Sequence, residues 1–261
     1  MLLQYNVFGT GDGLDGLSLV QRCAMAKKAK ITKIAIVILV AFLAGFFTHY
    51  GISPITRPEP TYAGYVGDMH IHTTYSDGRG TPIEVITEAR RQRLDFIAIT
   101  DHHTIAGAIE ARDVSEGSPL VIIGQEVTTP WGHVLAYGLT ETVVEDLGPE
   151  ETIALIHAQG AVAFAAHPWS RWSVSDIKAI GLDGYEIVNE GNLWPEMPSW
   201  VDQYPWVGNS DAHNPSNIGM VRMYVFATTL TQEAILEAIL GGKCVITYGE
   251  AFIGREALVA Q

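Results

Sequence analysis

From residue 65 to residue 247, short apolar runs of strand length alternate with segments whose apolar side chains recur at helical spacing. Residues 65–71, 94–100, 120–124, 134–137, 162–166, 185–188, 206–207, 220–227 and 244–247 read as strands. Helices are expected from Pro82 to about Arg93 and over 104–114, 149–159, 174–180 and 231–240. The first opens on Thr81-Pro82-Ile83-Glu84, a capping box with proline at the first helical position. Strands that are apolar throughout need cover on both faces, so repeated strand–helix units indicate an α/β fold with mostly parallel strands. Some seven such strands in about 190 residues fit a small distorted (β/α)7 barrel better than a flat, doubly wound sheet.

Ahead of this pattern, residues 34–55 contain no Lys, Arg, Asp or Glu. That length matches the roughly 20 apolar residues that cross a bilayer core as a helix. Lys27, Lys28, Lys30 and Lys33 crowd its N-terminal side, which places the N-terminus in the cytoplasm and the C-terminal bulk beyond the membrane. A cleaved signal peptide would share these features, but no clean A-x-A site follows Phe47. The expected organisation is a tail (1–30), a single transmembrane helix or uncleaved signal anchor (31–55) and a spacer stiffened by Pro58 and Pro60 (56–63). A catalytic domain (64–250), extracytoplasmic by this reading, and a short C-terminal tail (251–261) follow.

Composition narrows the chemistry. Cys23 and Cys244 cannot build a disulfide scaffold or a cysteine-based metal site. The formal charge of −13 is unevenly spread: residues 58–261 hold 10 Lys and Arg against 27 Asp and Glu. So acidic a domain is not expected to bind a nucleic-acid duplex. Its carboxylates either solvate the surface or hold divalent cations.

The position of the polar residues favours cations. Nearly every expected strand ends at its C-terminal edge in a metal-binding side chain. These are Asp68-Met69-His70-Ile71-His72, then Thr100-Asp101-His102-His103, Gly124-Gln125-Glu126, His167-Pro168 and Ser210-Asp211-Ala212-His213. In a β/α barrel those ends converge on one mouth. A spacing of two on an extended strand puts His70 and His72 on one face, and Asp211 and His213 repeat it. Imidazole with carboxylate suits zinc, manganese or iron, and the total exceeds what one ion needs.

These motifs, with Ser76-Asp77-Gly78, resemble in order those of the PHP (polymerase and histidinol phosphatase) domain phosphoesterases, over residues 64–249. The resemblance implies a distorted (β/α)7 barrel and a centre of two or three divalent ions (Mn, Zn or Fe). It assigns His70, His72, Glu126 and Asp211 to a first ion, Glu126 with His133 and His167 to a second, and Asp77, His102 and His213 to a third. Asp77 replaces a histidine of other members, as in the branch acting on nucleotides and nucleoside bisphosphates. The implied reaction is hydrolysis of a small phosphorylated substrate, the ions neutralising phosphate oxygens and activating water. Asp101 or His103 would protonate the leaving group or orient a ligand imidazole. Arg171 would clamp a distal phosphate or carboxylate, with Arg79 a second candidate.

Three alternatives stand beside this reading: a PHP-type protein-tyrosine phosphatase, a non-catalytic metal-binding membrane module, and a metallohydrolase of another bond. Trp131, Trp169, Trp172 and Trp194 are candidates to line the mouth, and Asp68 and Asp101 are expected to be structural or to support the ligands from behind.

Overall fold

A computed structural model describes residues 64–168, 180–190, 192–193, 204–255 and 258. The expected tail 1–30, membrane helix 31–55 and spacer 56–63 lie outside the described residues, as does the helix expected from Val174, save for Ile180. Among the described residues, no helix is long and apolar enough to cross a membrane.

The strands are β1 (Tyr65–Asp68), β2 (Phe96–Ile99), β3 (Leu120–Thr129), β4 (Gly132–Tyr137), β5 (Val162–Ala165), β6 (Gly184–Asn189), β7 (Asn192–Leu193), β8 (Trp206–Asn209), β9 (Val221–Val225), β10 (Cys244–Tyr248) and β11 (Ala251–Gly254). The helices are α1 (Pro82–Arg91), α2 (Ala106–Ser115), α3 (Pro149–Ala158) and α4 (Gln232–Leu240). At the start of α1 the Thr81 side chain accepts the Glu84 N–H while Glu84 Oε2 accepts the Thr81 N–H at 2.8 Å, the reciprocal cap expected from the sequence. Val85, Ile86 and Ala89 on one face of α1 are buried in the core.

The strands form one curled sheet in the order β11-β10-β9-β1-β2-β3-β4-β5-β6-β7, with β8 paired to β6. β1, β2 and β3 are parallel, as are β5, β6 and β8, while β4 runs antiparallel between the two groups. The curl brings the end of β8 back to the end of β1. There a single bridge, Ile71 to Ala212, joins them, with the His72 N–H donating to the Ala212 carbonyl at 3.0 Å and the Ala212 N–H to the His70 carbonyl at 3.1 Å. The expected seven-stranded barrel is therefore an α/β curled sheet pinned at one point, with no β1–β8 ladder among the described residues.

Two further differences have physical reasons. β3 runs to Thr129 rather than ending at Gly124, because antiparallel β4 takes up its backbone groups as far as Thr129–Gly132. β11 falls in the expected C-terminal tail 251–261 and pairs with β10 from Tyr248–Ala251 to Val245–Gly254.

Candidate metal centre

The polar ends of the strands are stitched together by backbone and threonine. The Thr100 N–H donates to the Ile71 carbonyl at 2.9 Å, the Ile71 N–H to Thr100 Oγ1 at 3.2 Å, and the Glu126 N–H to the Thr100 carbonyl at 3.0 Å. The residues following β1 and β2 and those in the middle of β3 are thereby brought to one rim, and the Ile71–Ala212 bridge adds the residues after β8.

Glu126 sits at the middle of the resulting cluster and is buried. Its Oε1 lies 2.8 Å from His133 Nδ1 and 2.8 Å from His167 Nε2. Its Oε2 lies 3.0 Å from His70 Nε2, 3.1 Å from His72 Nε2 and 3.3 Å from His102 Nε2. Each carboxylate oxygen thus faces its own set of imidazoles. Asp211 Oδ1 lies 3.2 Å from both His70 Nε2 and His72 Nε2, is buried, and has no hydrogen-bond partner among the described residues.

Such an arrangement fits cations. Imidazole nitrogens face carboxylate oxygens at lone-pair distance, and one buried carboxylate oxygen lacks a hydrogen bond, although buried polar groups are nearly always paired. Three sets of ligand atoms lie within 4.8 Å of one another: His70, His72, Glu126 and Asp211; His72, Asp77 and His102; and His102, Glu126 and His133. The first set is the one expected. In the others His102 is shared, while His213 joins through its Nε2, 3.3 Å from Asp77 Oδ2.

Hydrogen bonds on the opposite ring nitrogens set the tautomers. His102 Nδ1 lies 3.0 Å from the Glu126 carbonyl and His213 Nδ1 lies 3.0 Å from the Asp211 carbonyl. A carbonyl only accepts, so each Nδ1 carries the proton and each Nε2 presents a lone pair to the cluster. Asp211 and His167 hold φ of 48° and 27°, in the left-handed region that costs a non-glycine residue of order 1 kcal/mol or more. Backbone strain at two prospective ligands marks positions over-determined by their surroundings.

Charge within the cluster is strongly coupled. Burial works against a charged His70, but Asp211, Glu126 and Glu186 outweigh it and hold its imidazolium well above the ordinary range. Burial likewise opposes charge on His72, and Asp211 and Glu126 push it up to about 9. Burial would raise the Glu126 carboxyl, yet His70, His133 and His167 keep it well below the usual range. Asp211 is depressed against its burial by His70 and His72. Burial lowers His102. In the metal-free cluster, protons on His70 and His72 offset the Glu126 and Asp211 carboxylates, and divalent cations would take their place.

Asp101 hydrogen-bonds into the loop that follows β1. Its Oδ1 accepts the Thr73 N–H and the Ser76 Oγ–H, each at 2.7 Å, and its Oδ2 accepts the Thr73 Oγ–H at 2.7 Å. The buried carboxylate therefore holds the loop that carries Asp77. His103 is exposed, its Nδ1 2.8 Å from Glu145 Oε2 and its N–H donating to Glu145 Oε1 at 2.7 Å. Arg171, Trp169, Trp172 and Trp194 lie outside the described residues. Asp68 is buried and accepts from Ser210 N–H, Ser210 Oγ and Gly219 N–H, tying β1 to β8, and burial pushes its carboxyl up to about 6.

Sequence reasoning missed Glu186, and it read Asn189 only as part of a polar loop and Asn209 only as a strand end, not as the partners of Glu186. Glu186 is fully buried in β6, with Oε1 3.2 Å from His70 Nδ1. Its signal was present: a lone carboxylate inside the apolar strand Tyr185-Glu186-Ile187-Val188.

The PHP domain family model matches residues 68–177, and a PHP-associated model matches residues 203–244. An uncharacterised protein of Methanocaldococcus jannaschii is 36% identical over 141 residues, covering 47% of this chain and 80% of that protein. A 3′,5′-nucleoside bisphosphate phosphatase of Chromobacterium violaceum is 36% identical over 78 residues, 28% of this chain and 27% of that enzyme. Among solved structures, a two-domain protein of Bacteroides vulgatus containing a predicted PHP-like metal-dependent phosphoesterase superposes with a TM-score of 0.68 at 24% identity. That superposition covers 76% of this chain and 69% of that one. The chain belongs to the PHP domain family of metal-dependent phosphoesterases and is a hydrolase.

Proposed function

We propose that this chain hydrolyses a phosphate ester of a small molecule, a nucleotide or another phosphate monoester, at a centre of two or three divalent ions drawn from manganese, zinc and iron. The observation that carries the reading is Glu126, whose two oxygens face separate imidazole sets. In this assignment His70, His72, Glu126 and Asp211 hold one ion, Glu126 with His133 and His167 a second, and Asp77, His102 and His213 a third. Ions bound there would neutralise phosphate oxygens and make water acidic enough to attack near neutral pH. The protein's own part is to hold His102 and His213 in the Nε2-presenting tautomer, to fix the Asp77 loop through Asp101, and to present His103 at the rim to the leaving group. Arg171 is assigned to a distal phosphate. The nucleotide reading is supported by the named activity of the Chromobacterium violaceum relative.

Residues 34–55 are assigned as a single-pass anchor in a lipid bilayer, with the catalytic domain outside the cytoplasm, on their uncharged length and the preceding lysines. Protease treatment of intact cells checks this: digestion of the domain only after the membrane is opened would contradict it.

A second reading, a protein-tyrosine phosphatase, is favoured by one feature. Between β4 and α3 the chain runs from Gly138 to Gly148 without a helix, and Trp131 is exposed on the β3–β4 turn. The full chain, loaded with each metal in turn, would be offered nucleoside monophosphates, nucleoside bisphosphates, a 5′-phosphorylated oligoribonucleotide and phosphotyrosine peptides. Preferential phosphate release from the nucleotides supports the first reading and from the peptides the second. No release from any of them would favour a non-catalytic metal module.

A further inference from the structure

Glu186 touches more of the cluster's supports than any prospective ligand does. Its Oε1 accepts the Asn209 Nδ2–H at 2.8 Å and lies 3.2 Å from His70 Nδ1. Its Oε2 accepts the His167 backbone N–H at 2.8 Å and the Asn189 Nδ2–H at 3.0 Å. Asn209 Oδ1 accepts the Met69 N–H at 3.1 Å, which turns its amide nitrogen toward Glu186. Asn189 also donates to Asp211 Oδ2 at 3.0 Å. With Oε1 already accepting from Asn209, the His70 contact is best satisfied with a proton on His70 Nδ1, which leaves Nε2, facing Glu126 and Asp211, as the nitrogen a cation would take.

One buried carboxylate therefore orients His70 and, through Asn189, Asp211, both in the first ion set. It also fixes the backbone of His167, in the second set, at its left-handed φ of 27°. We propose that Glu186 is a positioning residue that couples the two ion positions, so that they fill together. An ion held by His70 would restrain the Glu186 carboxylate through His70 Nδ1, and the restrained carboxylate would keep the His167 backbone in place for a second ion. The ordering cost is then met once instead of twice. This rests on the metal reading above and adds to it a residue outside the ligand set.

Glutamine is the informative replacement. All four groups facing Glu186 are donors, so an amide of the same size must set its own N–H2 against two of them, whichever way it turns. Metal-free full chain, wild type and Glu186→Gln, would be titrated with Co2+, bound metal being read by equilibrium dialysis with elemental analysis and ligand geometry by visible absorption. Wild type is expected to bind at least two ions along a sigmoidal isotherm. Glu186→Gln is expected to bind about 10- to 100-fold more weakly, along an isotherm that is no longer sigmoidal, with an altered Co2+ spectrum. Asn189→Ala, which removes the link to Asp211 at the end of β6, should shift affinity the same way by less, and it keeps the test open if the glutamine variant does not fold. Wild-type affinity, steepness and spectrum in the variants, with only a lowered melting temperature, would overturn the role of Glu186. A wild-type isotherm without cooperativity would overturn the coupling. Wild type that binds no Co2+ would overturn the metal reading itself.

Discussion

His167 Nε2 lies 2.8 Å from Glu126 Oε1 although 41 residues of chain separate them, and the other oxygen of the same carboxylate faces His70, His72 and His102. Glu126 thus faces imidazoles on both sides of the cluster, one set on each oxygen. Replacing it with glutamine removes a charge that five imidazoles surround and leaves an amide that can offer only one oxygen. The full-length Glu126→Gln protein should retain at least one ion fewer per chain and lose more than about 100-fold in kcat. Elemental analysis and phosphate release on the same preparation check both expectations.

Asp101 predicts an effect on stability as well as activity. Asp101→Ala would leave the buried Thr73 N–H and the Thr73 and Ser76 hydroxyls without their acceptor, at a cost of about 2–3 kcal/mol. Gly107→Ala should act in the same direction, because its Cβ would run into the Asp101 carboxylate. Both variants should unfold at lower urea concentration, and both should lose activity through the displaced Asp77 loop. Unchanged unfolding midpoints would contradict the assignment.

His72 sets a pH dependence in the metal-free protein. Its pKa rises from 6.5 to about 9 on folding, so the folded state holds the proton more tightly than the unfolded chain does. The resulting stabilisation is fully present below pH 6.5 and is lost as pH rises through about 9. Metal-free protein should become less stable across that window, by at most about 3 kcal/mol from this group. In metal-loaded protein cations replace the protons, and the decline should disappear. Thermal melts at pH 6, 7.5 and 9 with and without metal test this.

His103 separates substrate contact from metal binding. It is exposed at the rim and held by Glu145. His103→Ala should keep its full metal content while kcat/KM falls by about 10- to 100-fold. Loss of an ion from this variant would instead make His103 part of the metal cluster.

Much of this site was legible in the sequence, because extended chain has a period of two and most prospective ligands follow the ends of strands, Glu126 within β3 and His133 within β4 being the exceptions. His70 and His72 share one face for that reason, and the capping box at Thr81 fixed the start of α1. The missing parts depend on tertiary closure. Nothing local announces that the chain after β8 returns to bridge Ile71 with Ala212, or that β3 continues to Thr129 once β4 folds back on it. Asn189 and Asn209 read as ordinary strand-end polar residues until Glu186 is seen between them. The sequence left Asp101 between a proton donor and a support, and only the fold shows its hydrogen bonds to Thr73 and Ser76.

The most direct test strips the purified full-length protein with a chelator and restores Mn2+, Zn2+ or Fe2+ singly, following inorganic phosphate released from a nucleoside bisphosphate alongside metal bound per chain. Phosphate release should vanish on stripping and return in step with the binding of at least two ions per chain. Release that persists in the stripped protein, or two ions bound with no release from that ester or any other, would contradict hydrolysis at this cluster.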